Sequence, residues 1–368
     1  MSMRRSSMPT LEQQRRPAGS QRRNSLPGRL EPVRRPSCTF GTGRPTSAPR
    51  TGFLSEKDFL SPFSGAAEVM WIVAMDGSHL SYRCLRLASM LMDVDNASHH
   101  ILALNISEGG KTNSLLASNT QEEVRKCGVS MQKFAFKTIG QPEKLSVAQT
   151  LVAYVNNCSD LKVRLVLGAQ GMRYDDITGV PVMDHIGSVA GECMERVKAP
   201  VIVVKQPWRE LEGQRNPLGR VQRCGRNGKP GLNLFVCVDD SGLSQQAFNV
   251  ASKMLRPGDS LVALHVRRPP RDSYSQEREN KLRDSYTQSC SQLQNTIKGL
   301  ESCKYIEVPR TNNSIGEDIL EFTDVNMADV IIMSSEELGS SRSQQLGSVS
   351  LFVAKHAKPH VCIIKHAE

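Results

Sequence analysis

From Val69 onward the chain alternates two kinds of segment: short runs that are almost wholly apolar, and longer stretches in which apolar residues return every three or four positions. The runs VMWIVAM (69–75), HILALNI (100–106), MQKFAF (131–136), VRLVLG (163–168) and PVIVVK (200–205) are too short for helices and predict strands buried on both faces. Between them the periodicity predicts helices over 79–92, from Pro142 to Asn157, and from Gly187 onward. Strands alternating with helices of this length predict an α/β fold whose parallel sheet is covered on both sides.

The programme then restarts. LNLFVCV (232–238), SLVALHV (260–266), CKYIEV (303–308), DVIIMS (329–334) and HVCIIK (360–365) predict five more strands, with helices over 243–255, about 275–300, 315–325 and from Gly347. Two anchors set the repeat: WIVAMDGSHLS at 71–81 aligns with LFVCVDDSGLS at 234–244, and GSVAGECMERVKAPVIVVK at 187–205 with GSVSLFVAKHAKPHVCIIK at 347–365. Their offsets, 163 and 160 residues, agree too well for coincidence. The organisation expected is a tail over 1–65, a first domain over 66–206, a linker over 207–231 with three prolines, and a second domain over 232–368. Each domain is a doubly wound five-stranded parallel sheet. The tail, rich in Arg, Ser, Pro and Gly, has too little apolar surface to offset the entropy of ordering and is expected to be disordered.

Charge sharpens this division. The formal charge of +10 resolves into +9 over 1–50 and +4 over 206–231, against −1 over 51–205 and −2 over 232–368. The folded parts are nearly neutral, which argues against a specific nucleic-acid surface. Ten cysteines are scattered without a C-x-x-C pair, which points to reduced thiols in the cytosol or nucleus. No apolar run reaches the roughly 18–20 residues of a membrane span, and no signal-peptide pattern opens the chain. A soluble, cytoplasmic protein is expected.

Right-handed crossovers in such a sheet give the strand order 3-2-1-4-5, which places the first and fourth strands side by side where the winding reverses. In the first repeat Asp76 ends strand one, Gly168 and Gly171 follow strand four, and Gly187-Ser188 opens the last helix, so all converge on one crevice. Glycine lets backbone approach phosphate oxygens, and a helix start favours an anion. Asp76 and Asp239 also have a purely structural reading, as helix caps together with Ser78 and Ser241.

The strand-Asp-x-Ser opening, the G-x-x-G after strand four, the Gly-Ser pair and the closing PVIVVK resemble the universal stress protein family over nearly all of 69–205 and 232–368. That resemblance implies a G-x2-G-x9-G-[ST] phosphate loop in nucleotide-binding members. It places Asp76 and Ile106 by ribose and adenine, Leu167 and Gly168 by base and sugar, and Gly171, Gly187, Ser188 and Val189 by phosphates, with ATP or AMP as ligand. It also implies dimerisation through the last strand, here either as a homodimer or as a pseudo-dimer in which VIVVK pairs with VCIIK. Both copies depart from the pattern. Fifteen residues separate Gly171 from Gly187, including Asp175, Asp176 and Asp184, which disfavours a triphosphate. In the second copy Ser334 and Glu337 replace both glycines, and a carboxylate about 4 Å from a phosphate costs roughly 1–4 kcal/mol. The second copy is therefore expected not to bind.

Other chemistry finds no support. Gly110-Lys111-Thr112 follows a strand as a Walker A loop would, but Asn105 stands where its first glycine is required. Pro359 separates His356 from His360, so no metal site is expected. No nucleophile and base are paired at strand ends, so the chain is expected not to be an enzyme. Slow ATP hydrolysis or autophosphorylation ranks last among the alternatives, because no general base is placed for it. The tail instead carries Arg-Arg-x-Ser three times, ending at Ser7, Ser25 and Ser37, a pattern that suits a basophilic protein kinase. The segment Arg22-Arg23-Asn24-Ser25-Leu26-Pro27 resembles a docking site for a 14-3-3-type phosphoserine-binding adaptor. Two functions stand side by side: a nucleotide-binding regulator with a phosphorylated tail, and a scaffold that binds no nucleotide.

Overall fold

The computed structural model describes residues 68–158, 162–170, 186–205, 225, 229–267, 272–311, 314–335 and 346–365. The first half runs β1 (Val69–Ala74), α1 (His79–Leu91), β2 (His99–Glu108), α2 (Ser114–Lys126), β3 (Phe134–Gln141), α3 (Val147–Asn156), β4 (Lys162–Gly168), α4 (Ser188–Arg196) and β5 (Val201–Val204). The second runs β6 (Asn233–Cys237), α5 (Gly242–Met254), β7 (Ser260–Arg267), α6 (Ser273–Thr296), β8 (Ser302–Pro309), α7 (Ile315–Val325), β9 (Val330–Ser334), α8 (Ser348–His356) and β10 (His360–Ile364).

Each half has the strand order expected, but the two sheets are one. The order is β3-β2-β1-β4-β5-β10-β9-β6-β7-β8. Every pairing is parallel except the central one, where β5 and β10 run antiparallel with Ile202 opposite Cys362. Alternation along β1 sends Trp71 and Val73 into one apolar layer and Met70 and Ile72 into the other. Helices α1, α2, α5 and α6 cover the first layer; α3, α4, α7 and α8 cover the second. Both layers draw on both halves of the chain, so the core continues across the junction.

The junction is closed by two buried lysines in equivalent positions. Lys205 Nζ donates to Lys355 O near the end of α8 (3.2 Å), and Lys365 Nζ donates to Val197 O at the end of α4 (3.2 Å). An ammonium there meets the negative end of a helix and satisfies a carbonyl that the helix leaves unpaired.

Local differences from the sequence reading have local causes. The segment MQKFAF is not a strand throughout: Ser130 caps a short 3-10 turn over Met131–Lys133, and β3 begins only at Phe134. The helix read from Pro142 starts at Val147, where Ser146 and Gln149 form a reciprocal capping box. Helix α2 was not anticipated; Asn113 caps it, and two of its four buried residues are Thr120 and Glu123, which blur its apolar stripe. The expected tail with Ser7, Ser25 and Ser37, and nearly all of the expected linker, lie outside the described residues.

Candidate functional site

In both halves an Asx turn follows the first strand, at the carboxyl end of the sheet where the sequence places a crevice. Asp76 Oδ1 accepts from the amide and hydroxyl of Ser78 (2.9 and 2.6 Å), and Ser78 in turn caps α1 by accepting from Ser81 N at 3.2 Å. Asp239 Oδ1 accepts from Ser241 N at 2.9 Å, and Ser241 caps α5 through Ser244 N at 3.1 Å. The serines are thus the caps, and the aspartates brace them.

In the first half those of the residues singled out from sequence that are described lie toward the carboxyl ends of β1, β2 and β4 and at the start of α4, with different exposures. Leu167 is 2% exposed, so only its backbone can face a ligand. Ile106, Gly187 and Val189 are half-buried, while Asp76 and Ser188 are exposed. Gly168 ends β4 for a steric reason: a Cβ there would lie 2.8 Å from Leu80 Cδ2. The Gly187 amide already donates to Ala169 O at 2.7 Å. Gly187 is the N-cap of α4 and supplies no side-chain cap, so the amides of its first turn keep their polarity. Gly171, with Asp175, Asp176 and Asp184, lies outside the described residues. Asn105, in the segment that mimics a Walker A loop, is buried and donates to Met75 O at 2.7 Å, a structural link between β1 and β2.

The second half holds an open cleft of about 610 Å³ over the ends of β6, β7 and β9. Leu264, Ile315, Ile319, Met333 and Val349 give it apolar walls; Asp239, His265, Arg278, Glu279 and Ser350 supply polar groups. Helix α6 forms one side and is tied to the sheet by charged and polar pairs. His265 Nδ1 lies 2.9 Å from Val238 O, and its Nε2 lies 2.9 Å from Glu279 Oε2. Arg267 donates to Gln276 Oε1 at 2.9 Å, and Arg278 pairs with Asp240. Opposite, Gly347 opens α8 without a side-chain cap, and its amide donates to Ser335 Oγ at 2.9 Å. Sequence reasoning missed this cleft because it weighed the lost glycines and not the long helix after β7, whose polar residues build the wall. Glu337 lies outside the described residues.

The cleft is of the size of a small-molecule site, and its walls are shared about equally between apolar and polar groups. Asp239, Asp240 and Glu279 outnumber Arg278, which disfavours a highly charged anion. Among the described residues no group of three or more His, Cys, Asp or Glu is placed to hold a metal ion. No helix among them is long and apolar enough to cross a membrane.

No curated protein matches the sequence. Three similar solved structures indicate the range of likeness. A functionally unknown protein from Pseudomonas aeruginosa PAO1 aligns with TM-score 0.54 and 12% identity over 82% of this chain and 93% of its own. A universal stress protein from Archaeoglobus fulgidus aligns with TM-score 0.48 and 18% identity over 80% of this chain and 98% of its own. A universal stress protein family protein from Arabidopsis thaliana with AMP bound aligns with TM-score 0.26 and 18% identity over 37% of this chain and 92% of its own. The model of the universal stress protein family matches residues 233–365, which span β6 through β10. Residues 233–365 are thus a domain of the universal stress protein family, and β1–β5 repeat its strand order on the other side of the central junction.

Proposed function

We propose that the chain is a non-catalytic regulator that responds to an adenine nucleoside or nucleotide held in the cleft of its second half. The observation that carries this reading is the cleft of about 610 Å³ at the point where the strand order reverses, lined by both apolar and polar groups. The local excess of carboxylates favours adenosine, AMP or cyclic AMP over ATP, since each further phosphate charge adds repulsion. The first crevice is the second candidate, through Asp76, Ile106, Leu167, Gly168, Gly171, Gly187, Ser188 and Val189. The tail motifs at Ser7, Ser25 and Ser37 support control by a basophilic kinase and capture by a phosphoserine-binding adaptor, with each phosphate adding about −1.5 to −2 charge.

A scaffold that binds no nucleotide is the alternative. It is favoured by the first crevice, where Leu80 accounts for Gly168 and Ala169 O already occupies the Gly187 amide. Calorimetric titration of the full chain with adenosine, AMP, cyclic AMP and ATP separates these readings when repeated with Val349→Trp and Val189→Trp, equivalent positions in the two crevices. Binding lost only with Val349→Trp supports the second cleft. Loss only with Val189→Trp moves the site to the first half. No heat with any of the four, from a folded chain, leaves the scaffold.

A further inference from the structure

Helix α6 lies along β8, the outer strand of the second half, in a fixed register. Arg283 forks onto Glu307 at 3.0 and 2.8 Å. Tyr286 stacks on Tyr305 with centroids 6.3 Å apart and planes within 5°. Further along, Gln294 Oε1 accepts from the Cys303 amide at 3.2 Å. From Arg283–Glu307 to Tyr286–Tyr305 the partners advance by three residues along the helix and by two along the strand, in opposite directions. These steps match in length: one helical turn rises about 5.4 Å, and two strand residues about 6.6 Å. The rung after Tyr286 and Tyr305 is Cys290 and Cys303.

The two thiols meet there. Each side chain is the other's nearest polar influence, which holds Cys290 below the ordinary thiol range while Cys303 is pushed up. Burial drives Cys84, Cys127, Cys158, Cys193 and Cys237 the other way, with Cys127 and Cys158 at about 11 and Cys193 and Cys237 at about 12. Although mostly covered, Cys290 and Cys303 both line an open surface cleft of about 390 Å³, with Thr287, Gln294 and Lys304. A small oxidant thus has a path to a pair of adjacent sulfurs, one of them activated.

We propose that Cys290 and Cys303 form a dithiol site that a hydroperoxide oxidises to a reversible disulfide, tying α6 to β8. The Cys290 thiolate attacks the peroxide, forming an S–O bond and breaking O–O; the distal oxygen takes a proton and leaves as alcohol or water. Cys303 Sγ then attacks the sulfenic sulfur, forming S–S, and the hydroxide leaves as water with the Cys303 proton. The two thiols lose two electrons in total and the peroxide gains them; an external dithiol reverses the exchange. Because the first half of α6 carries Ser275, Arg278 and Glu279 into the larger cleft, the bond pins one wall of that cleft.

The test is peptide mapping of the full chain after hydrogen peroxide, alkylation and trypsin without reductant. Lys298 separates the two cysteines, so the expected product joins peptides 284–298 and 299–304, lies about 2 Da below the sum of their thiol forms, and disappears with dithiothreitol. In Cys303→Ser, dimedone should label Cys290; in Cys290→Ser, it should leave Cys303 unlabelled. Recovery of both wild-type peptides as alkylated thiols overturns the proposal, as does pairing of either cysteine with a different one. That outcome is read on the wild-type chain and does not depend on whether either variant folds.

Discussion

Gly168 tests whether the end of β4 is shaped by packing. A methyl group added there would stand 2.8 and 2.9 Å from Leu80 Cδ2 and Cγ, and 3.0 Å from Gln170 O. Leu80 is 2% exposed and belongs to the core under α1, so it has little room to withdraw. Gly168→Ala should therefore destabilise the protein by about 1–3 kcal/mol, the usual consequence of overfilling a packed interior. Leu80→Ala should cost about 2–5 kcal/mol through lost burial and the cavity left behind. In the double variant the new methyl occupies part of that cavity, so the combined loss should fall short of the sum by roughly 1–2 kcal/mol. Urea unfolding followed by far-ultraviolet circular dichroism, with unchanged m-values, measures all four corners of the cycle. Losses that add to within about 0.5 kcal/mol would refute the steric account and return Gly168 to a role in ligand approach.

Two further perturbations probe the core chemistry. His99 Nδ1 accepts from Asp93 N at 3.1 Å, and burial, with Arg164 nearby, lowers its pKa from 6.5 to about 4. The unfolded chain then binds the extra proton first, so this group's contribution is complete above pH 6.5 and is lost as pH falls toward 4, by roughly 3 kcal/mol in all. Urea midpoints taken from pH 7 to 4.5 should fall more steeply for wild type than for His99→Gln, and equal slopes would contradict the argument. At the junction, Lys365→Met leaves the Val197 carbonyl without its ammonium donor and should cost about 1–3 kcal/mol. The exposed Lys358–Asp324 pair is the control: Lys358→Met should change stability by less than about 1 kcal/mol, and similar losses in both variants would remove the special role of Lys365.

The architecture was legible because parallel strands buried on both faces write themselves as unbroken apolar runs, and because two sequence anchors repeat at almost one spacing. Features set by cap geometry, by buried polar residues or by distant contacts were not legible. The 3-10 turn at Met131 and the late start of α3 follow from the caps Ser130 and Ser146, whose effect on boundaries is settled by backbone geometry. Helix α2 hid because Thr120 and Glu123 are buried in it; Thr120 donates to Leu116 O and Glu123 pairs with Arg86, so neither reads as apolar. Gly168 was visible as a glycine, but its reason is the side chain of Leu80, eighty-eight positions earlier in the chain. Likewise the larger cleft owes its wall to contacts from α6 to β7, such as Glu279 with His265, that no spacing rule announces.

The antiparallel meeting of β5 and β10 changes the accounting of open hydrogen-bonding edges. Two separate five-stranded sheets would present four unpaired edges, whereas among the described residues the continuous sheet presents two, along β3 and β8. An unpaired edge is a template for further strands, and proteins blunt such edges with lysine and proline. The outer strands that remain carry Lys137 on β3, and Lys304 and Pro309 on β8; the strands withdrawn from exposure, Val201–Val204 and His360–Ile364, are the almost uniformly aliphatic ones. Joining the halves through their stickiest strands leaves the better-protected ones facing outward, so the repeat itself acts as a guard against edge-to-edge aggregation.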